Sequence, residues 1–190
     1  MQTANQATGP SIEFTSFLRA HQDLVFSIAA RLTGDDAQAE DIAQEVFLRA
    51  YKNFESIRYS DTVRGWLKTV TTNLALNHIT RYRNRWRLFS SLRAADAEED
   101  APDVEIEDEA DLVADLEAVD REKIVEECLQ SLPEHQRVPL VLYHFEELSY
   151  EDIARDLKVS VPKVKTDIFR GRAALAKILA RRGVSATVQA

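Results

Sequence analysis

The sequence predicts an all-α chain: two small helical domains joined by an acidic linker. Three observations predict it. Apolar residues recur at i, i+3, i+4 and i+7 through most of the 190 residues. Only five glycines and five prolines interrupt them, which favours long helices over many short strands. Charge is segregated: residues 94–120 hold 13 Asp and Glu and no Lys or Arg. A run of like charge repels itself and keeps a chain extended, so it reads as a boundary.

The elements follow in order. Ile12 to Leu32 carries Phe14, Phe17, Leu18, Val25, Phe26, Ile28 and Ala29 at helical spacing. Gly34-Asp35-Asp36 breaks it. Asp36 to Lys52 is amphipathic through Ala39, Ile42, Ala43, Val46, Phe47, Ala50 and Tyr51. A polar loop is expected from Asn53 to Asp61, then a long helix from about Thr62 to Arg87 with Val63, Trp66, Leu67, Val70 and Leu74 inward. The acidic segment follows, with helical spacing toward its end at Leu112, Leu116 and Val119. It reads either as a solvated spacer or as a nucleic-acid mimic lying in a basic channel. Beyond it, Arg121 to Leu132 is amphipathic through Ile124, Val125, Cys128 and Leu129. Pro133 opens the next helix, where a missing N–H costs little. Pro139 sits near that helix's first turns and is expected to bend or delay it. The expected organisation is therefore a first domain over 1–93, a linker over 94–120, a second domain over 121–182 and a tail over 183–190.

A net charge of −8 looks wrong for a nucleic-acid binder, but local charge decides phosphate contact. Residues 1–93 carry a net +3 and residues 121–190 a net +2, on either side of the acidic block. A single cysteine excludes an internal disulfide framework and fits a reducing cytoplasm. The polar first ten residues do not read as a secretory leader, and no apolar run approaches the ~18 residues that span a bilayer.

Three constellations carry chemistry. Ser149-Tyr-Glu-Asp152 has the form of a capping box. It opens a short helix with Ile153, Ala154 and Leu157. Lys158-Val159-Ser160 makes a tight turn, and Ser160 caps a second helix with Pro162 in its first turn. Val164, Ile168, Leu175 and Leu179 form that helix's inner stripe. Lys163, Lys165, Thr166, Asp167, Arg170, Arg172 and Lys177 are expected on the other face. A short helix, a tight turn and a longer basic helix is the layout of a major-groove reader, whose second helix presents N-terminal side chains to base edges. A plain helical hairpin with a solvated basic face is the bland alternative.

The second constellation is the stripe Asp41, Gln44, Glu45 and Leu48, opposite the apolar face of its helix. A polar stripe alone reads as solvated surface, but Leu48 within it points to a protein-binding face. The third is the ridge Thr69, Asn73, Asn77, Thr80, Arg81 and Asn84, continued by Arg83, Arg85 and Arg87 around Tyr82 and Trp86. Amides bond base edges, arginines hold phosphates and aromatics stack on unpaired bases. Trp66 fits core better than a stacking platform.

Other functions find little support. His21, His78, His135 and His144 lie in no metal-ligand pattern, Cys128 sits on an apolar helix face, and no Gly-rich phosphate loop occurs. No catalytic residue, metal or cofactor is expected. A receiver-type activator would need alternating strands and helices in residues 12–93, and none are visible. An adaptor mimicking one domain would lack the second set of basic helices.

The three constellations, in this order, resemble the extracytoplasmic-function sigma factors of bacterial RNA polymerase. The resemblance covers about Phe14–Arg87, similar to sigma domain 2, and Arg121–Leu179, similar to sigma domain 4. Ala39–Tyr51 resembles the helix that grips the beta-prime clamp. Gly65-Trp-Leu-Lys with Asn73-Leu-Ala-Leu-Asn77 resembles the helix that handles the minus-ten element. Ser131-Leu-Pro-Glu134 with Leu148-Ser-Tyr-Glu-Asp-Ile-Ala154 resembles the start of domain 4.

The resemblance implies that Asp41, Gln44, Glu45 and Leu48 meet core polymerase. It implies that Asn73, Asn77, Arg81, Arg83 and Arg85 meet the minus-ten element, and that the loop Glu55–Thr62 holds a flipped base. Lys163, Lys165, Thr166, Phe169 and Arg170 would meet the minus-thirty-five element. The implied partners are the clamp, the beta flap, promoter DNA and an anti-sigma factor, in a stress or envelope response. Three positions depart from the pattern: Pro162-Lys163 stand where Gly-Thr is usual, Asp167 stands where a basic residue is frequent, and Pro139 is unusual in its helix. Asp167 would either accept from a cytosine amino group or repel phosphate.

Overall fold

The computed structural model describes residues 9–90 and 118–182. Side chains are described from Ile12 to Thr80 and from Lys123 onward. Residues 94–117 of the acidic segment and the tail 183–190 therefore lie outside the described residues. Those described form eight helices and no strand: α1 (Gly9–Thr33), α2 (Asp36–Lys52), α3 (Phe54–Ile57), α4 (Val63–Ser90), α5 (Ala118–Gln130), α6 (Glu134–His144), α7 (Tyr150–Leu157) and α8 (Val161–Arg181). The chain divides into two compact units: residues 1–30 with 35–78, which hold most of α1, all of α2 and α3 and the first part of α4, and residues 31–34 with 79–190, which hold α5–α8.

Gly34 ends α1 at φ +67°, a left-handed conformation that glycine adopts without a Cβ penalty. Asp35 then caps α2, its carboxylate accepting from the Gln38 N–H at 3.0 Å. The inner stripe of α2 is Ala39, Ile42, Val46, Phe47 and Ala50, all buried. Tyr51, expected on that stripe, is 60 % exposed: its ring packs edge-on at 5.0 Å against Phe14 and leaves its outer side to water. The segment expected as loop from Asn53 to Asp61 contains α3. Phe54 and Ile57 fall three apart, so one helical turn buries both against the unit. Along α4, Leu67, Thr71, Thr72, Ala75, Leu76 and Ile79 are buried, while Val63, Trp66, Val70 and Leu74 are half-buried. Thr71 survives inside by donating its hydroxyl to the Leu67 carbonyl at 2.7 Å.

In the second unit, α8 packs on α5, α6 and α7. Its stripe Val164, Ile168, Leu175 and Leu179 is buried, as expected. Gly171 lies on the same side, where a Cβ would stand 3.1 Å from the Gln136 carbonyl oxygen; glycine lets α8 and α6 approach. Pro133 is the cap of α6 rather than its first residue. Pro139 does not delay the helix, which begins at Glu134 and runs through it to His144. Its ring is buried at the sixth of the helix's eleven positions, where it removes one N–H from the ladder without ending it.

Ser149 caps α7, its Oγ accepting from the Asp152 N–H at 3.1 Å and its hydroxyl donating to the Asp152 carboxylate at 2.7 Å. That bond, followed by one from Arg155, holds the Asp152 carboxyl below its usual range. Replacing Ser149 with Ala should cost about 1 kcal/mol of stability, read by chemical denaturation. It should also raise the Asp152 titration midpoint, read by NMR. A depressed carboxyl stabilises above its ordinary pKa, and that contribution is lost as pH falls through the folded value. The gap between wild type and Ser149→Ala should therefore narrow in acid.

Candidate functional site

Two surfaces collect the candidate residues. On the first unit, α1 and α2 enclose an apolar groove of about 640 Å³. Phe14, Leu18, Phe26, Phe47, Leu48 and Tyr51 form its apolar walls, and Gln44 lines it too. Phe26, Leu48 and Tyr51 stand 36 %, 56 % and 60 % exposed, so this face is greasy beyond what packing requires. Of the expected stripe, Gln44 and Leu48 belong to the groove. Asp41 and Glu45 are exposed beside it, with Glu45 accepting from Arg49 Nε at 2.9 Å. Spacing along the chain does not foretell the wall from α1. Phe26 reads by its spacing as core, and only the packing of α1 on α2 leaves its ring on a surface.

Farther along the unit, Thr69, Asn73, Asn77 and Thr80 form an exposed ridge on α4, as their spacing requires. The Thr69 hydroxyl donates to the Gly65 carbonyl at 3.0 Å, and the Asn73 and Asn77 amides are exposed on the ridge. Arg81, Arg83 and Arg85 continue α4, but their side chains lie outside those described. Before α4, Arg58 is held by Glu55 at 2.9 Å and by Glu13, and lies 4.6 Å over the ring of Tyr59. That ring is 80 % exposed, the most open aromatic of this unit.

The second unit carries the helix-turn-helix. Lys158 ends α7 at φ +57°, and the Val159 N–H returns to the Ala154 carbonyl at 3.0 Å. That left-handed stop aims the chain at Ser160, which caps α8 through the Lys163 N–H at 3.4 Å. Lys163, Thr166 and Arg170 share one outward stripe; Lys165 and Phe169 share the next. Phe169 is 46 % exposed. Thr166 donates its hydroxyl to the Pro162 carbonyl at 3.0 Å, which leaves it an acceptor and a methyl to present. Lys165 lies 5.7 Å from the Tyr150 ring centroid.

Asp167 is the correction. Expected on the outward face, it is buried and receives Lys163 Nζ at 3.1 Å. The helical step from Val164 and Ile168 turns it inward. Neither a cytosine contact nor phosphate repulsion fits a carboxylate so enclosed. The same interior holds Cys128, fully buried, where desolvation pushes its thiol above the usual value. Among the described residues, no three His, Cys, Asp or Glu are grouped to hold a metal.

Comparison with known proteins gives these surfaces their setting. Residues 17–86 match the family model for sigma-70 region 2, and residues 122–175 match that for sigma-70 region 4. The RNA polymerase sigma-H factor of Pseudomonas aeruginosa is 34 % identical over 176 residues, covering 90 % of this chain and 88 % of that one. The ECF sigma factor SigW of Bacillus subtilis, one of the extracytoplasmic-function group, is 30 % identical, covering 90 % of this chain and 91 % of that one. The chain belongs to the extracytoplasmic-function (ECF) sigma factors. SigE of Mycolicibacterium smegmatis is 36 % identical over 94 % of this chain, which spans 65 % of that relative's length. As an ECF sigma factor, the protein is a promoter-specific transcription initiation factor. No helix among its described residues is long and apolar enough to cross a membrane.

The groove geometry makes a direct prediction about stability. Leu48→Asp should change the unfolding free energy by less than about 0.5 kcal/mol, because that side chain already faces water. Phe47→Asp, one residue earlier and buried, should cost about 3 kcal/mol or more. Denaturant unfolding of the two variants checks it.

Proposed function

We propose that this sigma factor divides its work between the two units. Residues 1–93 act as sigma domain 2. Asp41, Gln44, Glu45 and Leu48 bind the polymerase clamp, and Asn73, Asn77, Arg81, Arg83 and Arg85 bind the minus-ten element. Residues 121–182 act as sigma domain 4. There, Lys163, Lys165, Thr166, Phe169 and Arg170 read the minus-thirty-five element, while the domain docks on the beta flap. Residues 94–120 link the two, and 183–190 form a tail. The protein works in the cytoplasm in a stress or envelope response under an anti-sigma factor. It has no catalytic centre of its own, and RNA synthesis belongs to the polymerase.

One observation carries this reading. The exposed chemistry falls into three kinds on three helices: an apolar groove edged by acids and an amide on α2, an amide ridge on α4, and a cationic, aromatic face on α8. Protein partners take apolar surface rimmed with polar groups; unpaired bases take amides and aromatics; duplex DNA takes cations on a helix seated in the groove.

Replacing Asp41, Gln44 and Glu45 together with Ala should sharply reduce retention of core polymerase in a pull-down. Undiminished retention would remove α2 from the interface. Arg170→Ala in the holoenzyme should weaken the upstream footprint and lower the salt slope of promoter binding by about one unit. An unchanged upstream footprint would take α8 off the DNA.

A further inference from the structure

The DNA-reading face of α8 contains an internal tether. Lys163 is the third residue of the helix, within the turn that a major-groove reader presents to base edges. Its side chain is 54 % exposed, yet its ammonium lies 3.1 Å from Oδ1 of Asp167, whose side chain is only 8 % exposed. The carboxylate is fixed because its flanking neighbours Val164, Ile168 and Gly171 face inward. A carboxylate taken out of water needs a partner of opposite charge, and without Lys163 it would be left unpaired.

The tether changes what Lys163 offers. An untethered lysine is a mobile point charge on a four-carbon stem, suited to phosphates, and each such contact releases counterions. Lys163 is held at its ammonium and has its charge cancelled four residues away. What remains is a pair of N–H donors in a restricted position. The major-groove edge of guanine offers the matching acceptors, O6 and N7. Lys165 is placed differently: it is exposed and faces the Tyr150 ring at 5.7 Å rather than a carboxylate.

We propose that Asp167 is a positioning residue that turns Lys163 from a phosphate-holding charge into a fixed donor for one guanine of the upstream promoter element. This rests on the reading that α8 lies in the major groove. Two lysines two residues apart then do different work. Lys163 supplies base preference and little salt dependence, whereas Lys165 supplies salt dependence and little base preference.

The test uses the full chain with core polymerase and a promoter library randomised in the upstream element, at several salt concentrations. Asp167→Asn frees the lysine. The preference for guanine at one base pair should fall at least tenfold, and the salt slope should rise by about one unit. The double variant Lys163→Gln with Asp167→Asn keeps the net charge and buries no carboxylate. It should retain the wild-type slope and lose guanine preference at the same base pair. If the variants carrying Asp167→Asn fail to fold, Lys163→Gln alone decides through base preference: loss of the guanine preference at one base pair is expected, and every preference kept overturns the proposal. A double variant that loses about one unit of slope and keeps every base preference overturns the proposal, because Lys163 would then be an ordinary phosphate contact. So does a wild-type profile with no preferred guanine in the upstream element. Failure of the groove reading itself appears elsewhere, as an upstream footprint unmoved by Arg170→Ala.

Discussion

The burial of one stripe of α8 sets the function of the second unit. Val164, Ile168, Leu175 and Leu179 are removed from water against α5, α6 and α7, and burial of each contributes about 1.5–3 kcal/mol. A helix has one rotational setting once such a stripe is seated. Every other side chain then has its direction assigned by the 3.6-residue period. Lys163, Thr166, Phe169 and Arg170 point outward because Val164 and Ile168 point in. Gly171 is part of the same constraint, since a larger residue would lift α8 from the Gln136 carbonyl and spoil the seating.

The caps convert that seating into a reader. Ser149 and Ser160 start α7 and α8, and the left-handed Lys158 between them fixes the turn. These are local devices of modest individual strength, but they act at the two points where the chain changes direction. Similar local means serve another end between α1 and α2. Gly34 and Asp35 reverse the chain from α1 into α2, and the antiparallel-reading pair leaves a groove instead of closing completely. Phe26, Leu48 and Tyr51 remain partly in water there, a cost that a monomer has little reason to bear unless something covers the face.

Much of this was legible in the chain. The period of the apolar residues placed seven of the eight helices among the described residues, and the capping residues located α7 and α8 closely. The stripe on α8 and the exposed ridge on α4 followed from spacing alone. The short α3 is not legible there, because two apolar residues three apart in a polar stretch carry no periodic signal until something packs on them. Phe26 and Tyr51 were assigned inward for the opposite reason: periodicity marks a face as apolar without saying whether a neighbour covers all of it. Asp167 was assigned outward because charge normally seeks water, and its partner Lys163 looked like one more surface cation.

The sequence by itself determined the seven longer helices, the caps of α7 and α8 and the apolar stripes, since each depends on residues within a turn or two of one another, and with them the order of the two domains. Only the tertiary structure decided how completely each stripe is covered. Coverage depends on residues far apart in the chain, and it made a groove of one helix pair and a tethered lysine of an apparently plain basic helix.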